Sequence, residues 1–208
     1  SASYTITATN TGGSDTASVT IVVNDVIPSD LDYSPNSFTL TKGTQMTTVT
    51  PTANGGTITG WSVSPSLPAG LSLDSTTGAI SGTPTAVTSS ATYTITATNT
   101  GGNDTATVTI VVNDIAPSIA YSPSTLTLTK GTAMTTATVT STGGAVVSYA
   151  VSPSLPAGLS LDTSTGAISG TPTAITSSAS YTITATNTGG TDTCLLYTSD
   201  AADDRGCV

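Results

Sequence analysis

The residue types best suited to chemistry in this chain are aspartates. All 12 acidic residues are Asp, Glu and His are absent, and Lys and Arg together number 3. Four aspartates recur in matching settings. Asp25 and Asp114 close the pairs Asn24-Asp25 and Asn113-Asp114, and Asp74 and Asp162 each follow a Leu-Ser-Leu run. Calcium takes roughly six to eight oxygen ligands and is held more tightly as more of them are charged. Asp25, Asp74, Asp114 and Asp162 are therefore the weak candidate ligands for calcium, and no cofactor is the expectation. One or two carboxylates per place make a thin ligand set. An Asn-Asp pair also ends a strand and turns the chain through side-chain bonds to its own backbone, and that reading is the one favoured. Asp104 and Asp192, beside Gly-Gly pairs, read as turn residues.

Catalytic machinery is not expected. General acids and bases are drawn mostly from His, Glu, Asp, Lys, Tyr and Cys, and a serine nucleophile needs a base beside it. No Gly-x-Ser-x-Gly motif is present, since Gly78-Ala79-Ile80-Ser81-Gly82 sets its serine one position late. The formal net charge is −9. Phosphate binding requires clustered Lys or Arg that displace counterions, so nucleic acid is not an expected partner. No apolar run approaches the roughly 20 residues that span a bilayer, and no membrane insertion is expected.

The elements that carry these residues follow from repetition. Ser64–Asp74 recurs without change at Ser152–Asp162, 88 residues later. Tyr-Thr-Ile-Thr-Ala-Thr-Asn-Thr-Gly-Gly begins at Tyr4, Tyr93 and Tyr181. The spacings differ by one residue, because Val26–Tyr33 is one residue longer than Ile115–Tyr121; the difference is read as lying in a linker. Repeats of 20–50 residues mark solenoids and propellers, whereas a period near 88 suits a sandwich of roughly 100 residues.

Strand signals fill each period. Tyr93, Ile95 and Ala97 alternate with threonines, as do Val108, Ile110 and Val112, and Asn99-Thr100-Gly101-Gly102 joins the two runs as a hairpin. Phe38 with Leu40, Met46–Ala53, Trp61 with Val63, Leu71 with Leu73, and Ile80 supply the others. Trp61 and its counterpart Tyr149 could offer a sugar-stacking platform; their alternation with Val63 and Val151 favours core aromatics. The expected fold class is all-β, in tandem sandwich modules. Residues 1–25 form the C-terminal hairpin of one module, 26–114 a whole module, and 115–193 a module without its last strand, whose sheet edge is left unpaired.

From Cys194 the repeat breaks. After Thr193 the pattern of Ala106–Val112 should follow, but the chain reads Cys-Leu-Leu-Tyr-Thr-Ser-Asp-Ala-Ala-Asp. These ten residues resemble the in-frame translation of a transposon-type sequencing adapter. Residues 194–208 are accordingly read as a non-native tail, which removes Cys194 and Cys207 from any argument about redox compartment and Asp200, Asp203 and Asp204 from any metal cluster.

The ordered motifs Pro65–Asp74 with Thr77–Pro84, Pro153–Asp162 with Thr165–Pro172, and the three Tyr-Thr-Ile-Thr-Ala-Thr-Asn strings resemble the bacterial putative-Ig family, a relative of the dystroglycan-type cadherin-like domains. The Asn-Asp junctions are similar to those of cadherins, where such a pair helps to bind calcium between modules. The resemblance implies tandem immunoglobulin-like, cadherin-like β-sandwiches in large surface or secreted proteins. A fold hosts many functions, so the ligand is not implied. The expected role is a non-catalytic spacer within an extracellular or cell-surface adhesin-like protein, with neighbouring repeats as its partners. The alternatives are a module that binds an extracellular glycan or protein, and an accessory module of a secreted enzyme.

Overall fold

The computed structural model describes residues 1–199; Cys207 and Asp200, Asp203 and Asp204 lie outside them. The described residues are organised as strands alone, β1 to β18, so the all-β expectation holds. Two compact units form. Among the described residues, one comprises 1–38, 45–84 and 90–111, and the other comprises 39–44, 85–89 and 112–199.

In the first module, β9 (Thr88–Asn99) and β10 (Gly102–Asn113) are the long central strands. They lie in a sheet ordered β4-β10-β9-β6, where β4 is Ser37–Thr41 and β6 is Gly60–Ser64. The opposing layer is built from the pairs β3 (Ser29–Asp32) with β5 (Thr52–Asn54) and β7 (Leu71–Leu73) with β8 (Ile80–Gly82). The alternation read in the sequence is realised directly. Tyr93, Ile95 and Ala97 point inward from β9, Val108, Ile110 and Val112 from β10, and all six are buried. Each such ring or branched side chain contributes about 1.5–3 kcal/mol by leaving water.

The second module repeats this plan. β14 (Ser148–Ser152), β17 (Ala179–Asn187), β18 (Gly190–Ser199) and β12 (Thr125–Thr127) form the order β12-β18-β17-β14. β11 (Pro117–Tyr121) pairs with β13 (Val139–Gly143), and β15 (Leu159–Leu161) with β16 (Ile168–Gly170). Its core gathers Ile119, Tyr121, Leu126, Ala137, Tyr149, Ile168, Tyr181, Ile183, Ala185 and Leu196.

Three expectations change. Met46–Ala53 is not a continuous strand. Met46 and Val49 are both buried, three residues apart, a spacing that a period-2 strand cannot place on one face. Val49 forms only an isolated bridge to Ile80, and Ala137 forms the same bridge to Ile168. Next, the segment read as a linker contains a strand, β3, whose Leu31 is buried together with the adjacent Tyr33. The extra residue of this stretch is a β-bulge. β11 and β13 pair in unbroken register, whereas the register of β3 with β5 shifts between Ser29 and Asp32, and Asp30 there takes φ 53°. Inserting one residue into one strand leaves it unpaired and bends the ladder; Ser29 Oγ (3.4 Å) and Asn54 Nδ2 (3.1 Å) bond to the Asp30 carboxylate.

The third change concerns the last strand of the second module. Cys194–Ser199 continue β18, antiparallel to β17 as far as Thr198 opposite Ala179 and parallel to β12 through Ser199. The edge expected to stand unpaired is therefore occupied. Backbone N–H and C=O groups pair whatever side chains they carry, and Leu196 happens to fall on the core face at 0% exposure. The outer face departs from the repeat. Leu195 and Tyr197 are 50% and 44% exposed, at the positions of Thr107 and Thr109 in the first module. By contrast β1 (Ala2–Asn10) and β2 (Gly13–Ile21) form a hairpin whose residues are exposed throughout, Tyr4 and Ile6 included.

Thr198 occupies the buried place that Ile110 fills in the first module, and its hydroxyl makes only long bonds to Ala179, at 3.3 and 3.5 Å. Thr198→Ile is expected to stabilise the second module by about 1 kcal/mol, the value of roughly one extra buried methylene. Chemical denaturation of the two proteins measures it, and an unchanged or lowered midpoint would refute the assigned packing.

Candidate functional site

Each module carries two polar constructions, one at a turn and one where the chain enters. The turn is set by Asp74. Its Oδ1 accepts the amides of Thr76 and Thr77, both at 2.8 Å, and the backbone then closes with Gly78 N donating to Asp74 O at 2.9 Å. These amide bonds, that of Thr77 foremost and then that of Thr76, hold the Asp74 carboxyl below its ordinary 3.8. Asp162 repeats the arrangement with Ser164 and Thr165 at 2.8 and 3.0 Å and is lowered in the same way, Ser164 foremost. Both side chains serve the turn that leads into β8 or β16.

That turn delivers Gly78 beneath an aromatic ring. Gly78 takes φ 71°, and a Cβ there would lie 2.7 Å from the Trp61 ring; Gly166, at φ 73°, has the same relation to Tyr149. No other residue type fits such a contact or takes that φ so readily. The buried hydroxyl of Tyr33 donates to Gly78 O at 2.6 Å, and that of Tyr121 donates to Gly166 O. Burial pushes the Tyr33 phenol well above its ordinary range. It pushes Tyr121 up to about 12, with smaller contributions from Tyr149 and Cys194. Trp61 is half-buried and Tyr149 buried, so both rings roof a turn.

The second construction lies where Asp25 and Asp114 stand. Asp25 N donates to Thr100 Oγ1 (3.0 Å), Val26 O accepts from Asn99 Nδ2 (2.7 Å) and Gly56 N (3.1 Å), and Leu31 N donates to Asp104 Oδ2 (2.9 Å). The second module matches it bond for bond. Asp114 N donates to Thr188 Oγ1 (2.9 Å), Ile115 O accepts from Asn187 Nδ2 (2.8 Å) and Gly144 N (3.1 Å), and Ile119 N donates to Asp192 Oδ2 (2.7 Å). The carboxylates of Asp25 and Asp114 accept the next amide in the chain, at 2.9 and 3.0 Å.

The four candidate calcium ligands are thus each engaged with local backbone. Among the described residues no group of three or more His, Cys, Asp or Glu is placed to hold a metal ion. Asp104 and Asp192, read as turn residues, instead reach a backbone amide 73 positions away. Asn99 and Asn187, hairpin residues by sequence, are buried polar side chains. The one available signal was their recurrence with the Gly-Gly pair at the module period.

Comparison with known proteins places these features in context. The sequence profile of the family described as "Putative Ig domain" matches residues 27–113 and again 116–200. Among solved structures, the chain is similar to an I-band fragment of titin, with 16% identity, 96% of this chain and 74% of that one covered, and a TM-score of 0.48. It is also similar to extracellular domains 3–5 of Drosophila OTK, with 16% identity, coverage of 83% and 62%, and a TM-score of 0.49. A crystal structure of human CDH23 matches at 15% identity, coverage of 89% and 68%, and a TM-score of 0.42. Comparison with curated protein sequences found no match.

Two outcomes follow from the turn. Its carboxylates are held below their unfolded value, so their contribution to stability is full above about pH 4 and is lost as pH falls through the native value. Replacing both, as Asp74→Asn with Asp162→Asn, keeps an acceptor oxygen but removes the titration. The double variant is expected to lose less stability than the parent between about pH 4 and pH 2; equal acid profiles in denaturant melts would count against this role. Tyr121→Phe leaves Gly166 O buried without its donor and is expected to destabilise the second module by about 1–3 kcal/mol, and a change under about 0.5 kcal/mol would remove the bond from the argument.

Proposed function

Since the chain belongs to the Putative Ig domain family, in two consecutive copies, we propose that it serves as non-catalytic structural repeats, a spacer within a surface or secreted adhesin-like protein. The observation that supports this reading is duplication at the level of single bonds. Asp74 and Asp162, Tyr33 and Tyr121, Asn99 and Asn187, and Asp104 and Asp192 each make the same contact in their own module. A dedicated binding site would individualise one copy, whereas a spacer gains only from length. Three basic residues in 208 leave few sites for trypsin-like proteases, which suits an exposed stalk.

A second reading, adhesion to an extracellular glycan or protein, draws on the loops. Residues 53–60 and 141–148 differ in sequence, and Val147 and Ile175 in the second module are 71% and 78% exposed. Titration of the chain against polysaccharides and surface proteins separates the two. The spacer reading expects no saturable binding, and binding abolished by Val147→Ser would replace it with the second.

Calcium supplies a further test. A ligand that binds only the folded state at a hundred times its dissociation constant adds about 2.7 kcal/mol. Thermal unfolding in calcium and in a chelator is expected to give the same midpoint. A rise in calcium that disappears in Asp114→Ala would reinstate Asp25 and Asp114 as ligands.

A further inference from the structure

The glycines around the entering chain are placed by close approach. A Cβ on Gly101 would lie 2.1 Å from Asp25 O, and one on Gly189 would lie 2.0 Å from Asp114 O. At the second Gly-Gly turn, a Cβ on Gly55 would lie 2.2 Å from Ile27 O, and one on Gly143 2.3 Å from Ala116 O. No side chain tolerates such distances, so two Gly-Gly turns close on the same stretch of backbone. The asparagine divides its work between turn and chain. Asn99 Oδ1 accepts Gly101 N (2.8 Å) and Asn187 Oδ1 accepts Gly189 N (2.8 Å), while each Nδ2 reaches the carbonyl of the entering segment.

The exposed hairpin β1–β2 separates these two tasks. Its Asn10 Oδ1 accepts Gly12 N at 2.8 Å, so the same turn forms there. A Cβ on Gly12 would meet nothing nearer than Asn10 Oδ1 at 3.2 Å. The turn conformation therefore stands by itself, and the requirement for glycine at the second position after Asn comes from the backbone that passes over it.

We propose that the Asn-Thr-Gly-Gly-x-Asp hairpin and the facing Gly-Gly turn form a socket whose ligand is the main chain of the segment leading into the module, Asp25–Leu31 in the first copy and Asp114–Ile119 in the second. The three side chains supply one donor and two acceptors, and every group they meet is a backbone amide or carbonyl. The socket reads conformation and ignores side chains, so Val26 and Ile115, or Ile27 and Ala116, occupy equivalent places. It fastens the segment without a cation.

Amide hydrogen exchange of the full chain, followed by NMR, tests this. Thr188→Val removes the acceptor for Asp114 N, and Gly189→Ala intrudes on Asp114 O. In both variants the amides of Asp114 and Ile119 are expected to exchange at least about tenfold faster, while the core amides of Ile183 and Ile168 keep their rates. Ile119 is the decisive reporter, since its own acceptor Asp192 is untouched. Gly12→Ala should change neither set. Unchanged rates at Ile119 would overturn the proposal, as would an equal acceleration at Ile183 and Ile168, which would mean simple loss of stability. Slowing of Asp114 and Ile119 in the parent chain by calcium, relative to chelator, would also overturn it.

Discussion

A single buried hydrogen bond organises each module, that of Tyr33 to the carbonyl of Gly78 and that of Tyr121 to the carbonyl of Gly166. Tyr33 directly follows β3 and Tyr121 ends β11, the strands by which the chain enters, and the glycine ends the turn that opens β8 or β16. A polar hydroxyl can be buried only with a partner, so the bond fixes where these two distant segments meet. The remainder is arranged to make it available. Asp74 or Asp162 shapes the turn, a positive φ presents the carbonyl, and the absent side chain lets Trp61 or Tyr149 cover it. With no disulfide observed among the described residues and few charges, such a corner ties distant segments together, as a crosslink does in disulfide-bonded domains.

Much of the fold was legible in the sequence where one physical rule acted alone. β9, β10 and their counterparts have one face in the core and one outside it, and Tyr93, Ile95, Ala97, Val108, Ile110 and Val112 declare that through period 2. Short β7 and β8 were legible because Leu71, Leu73 and Ile80 flank an aspartate-led turn. Legibility failed where two rules compete. Met46 and Val49 reach the core from irregular backbone, so apolar spacing suggested a strand that backbone bonding does not make. β3 was obscured by its bulge at Asp30 and by prolines and aspartates that read as linker. In the candidate site, the turn role of Asp74 and Asp162 was local and readable. The long-range bonds of Asp104 and Asp192 were not, because nothing in a sequence states which amide 73 residues away will need an acceptor.

The C-terminal strand separates backbone from side-chain instruction. Cys194–Ser199 do not follow the repeat, yet they complete the pairing of β17 and meet β12. The hairpin turn at Asn187–Gly190 fixes register before the departure from the repeat begins, and a strand whose register is set can extend on main-chain bonds alone. The cost appears in the placement of side chains. A threonine sits where the first module has an isoleucine, and Leu195 and Tyr197 face outward. The frame tolerates the departure from the repeat because each mismatch is small and the neighbouring strands are already in place.

The bulge at Asp30 carries a consequence of a different kind. The first module accepts an eighth residue between Val26 and Tyr33, and the second needs only seven up to Tyr121, yet Leu31 and Ile119 reach equivalent aspartates. The stretch between the fastened end and the buried tyrosine therefore has slack, absorbed without loss at either end. A module that absorbs one extra residue at its entry keeps both anchor points, so copies that differ by one residue in length share one architecture.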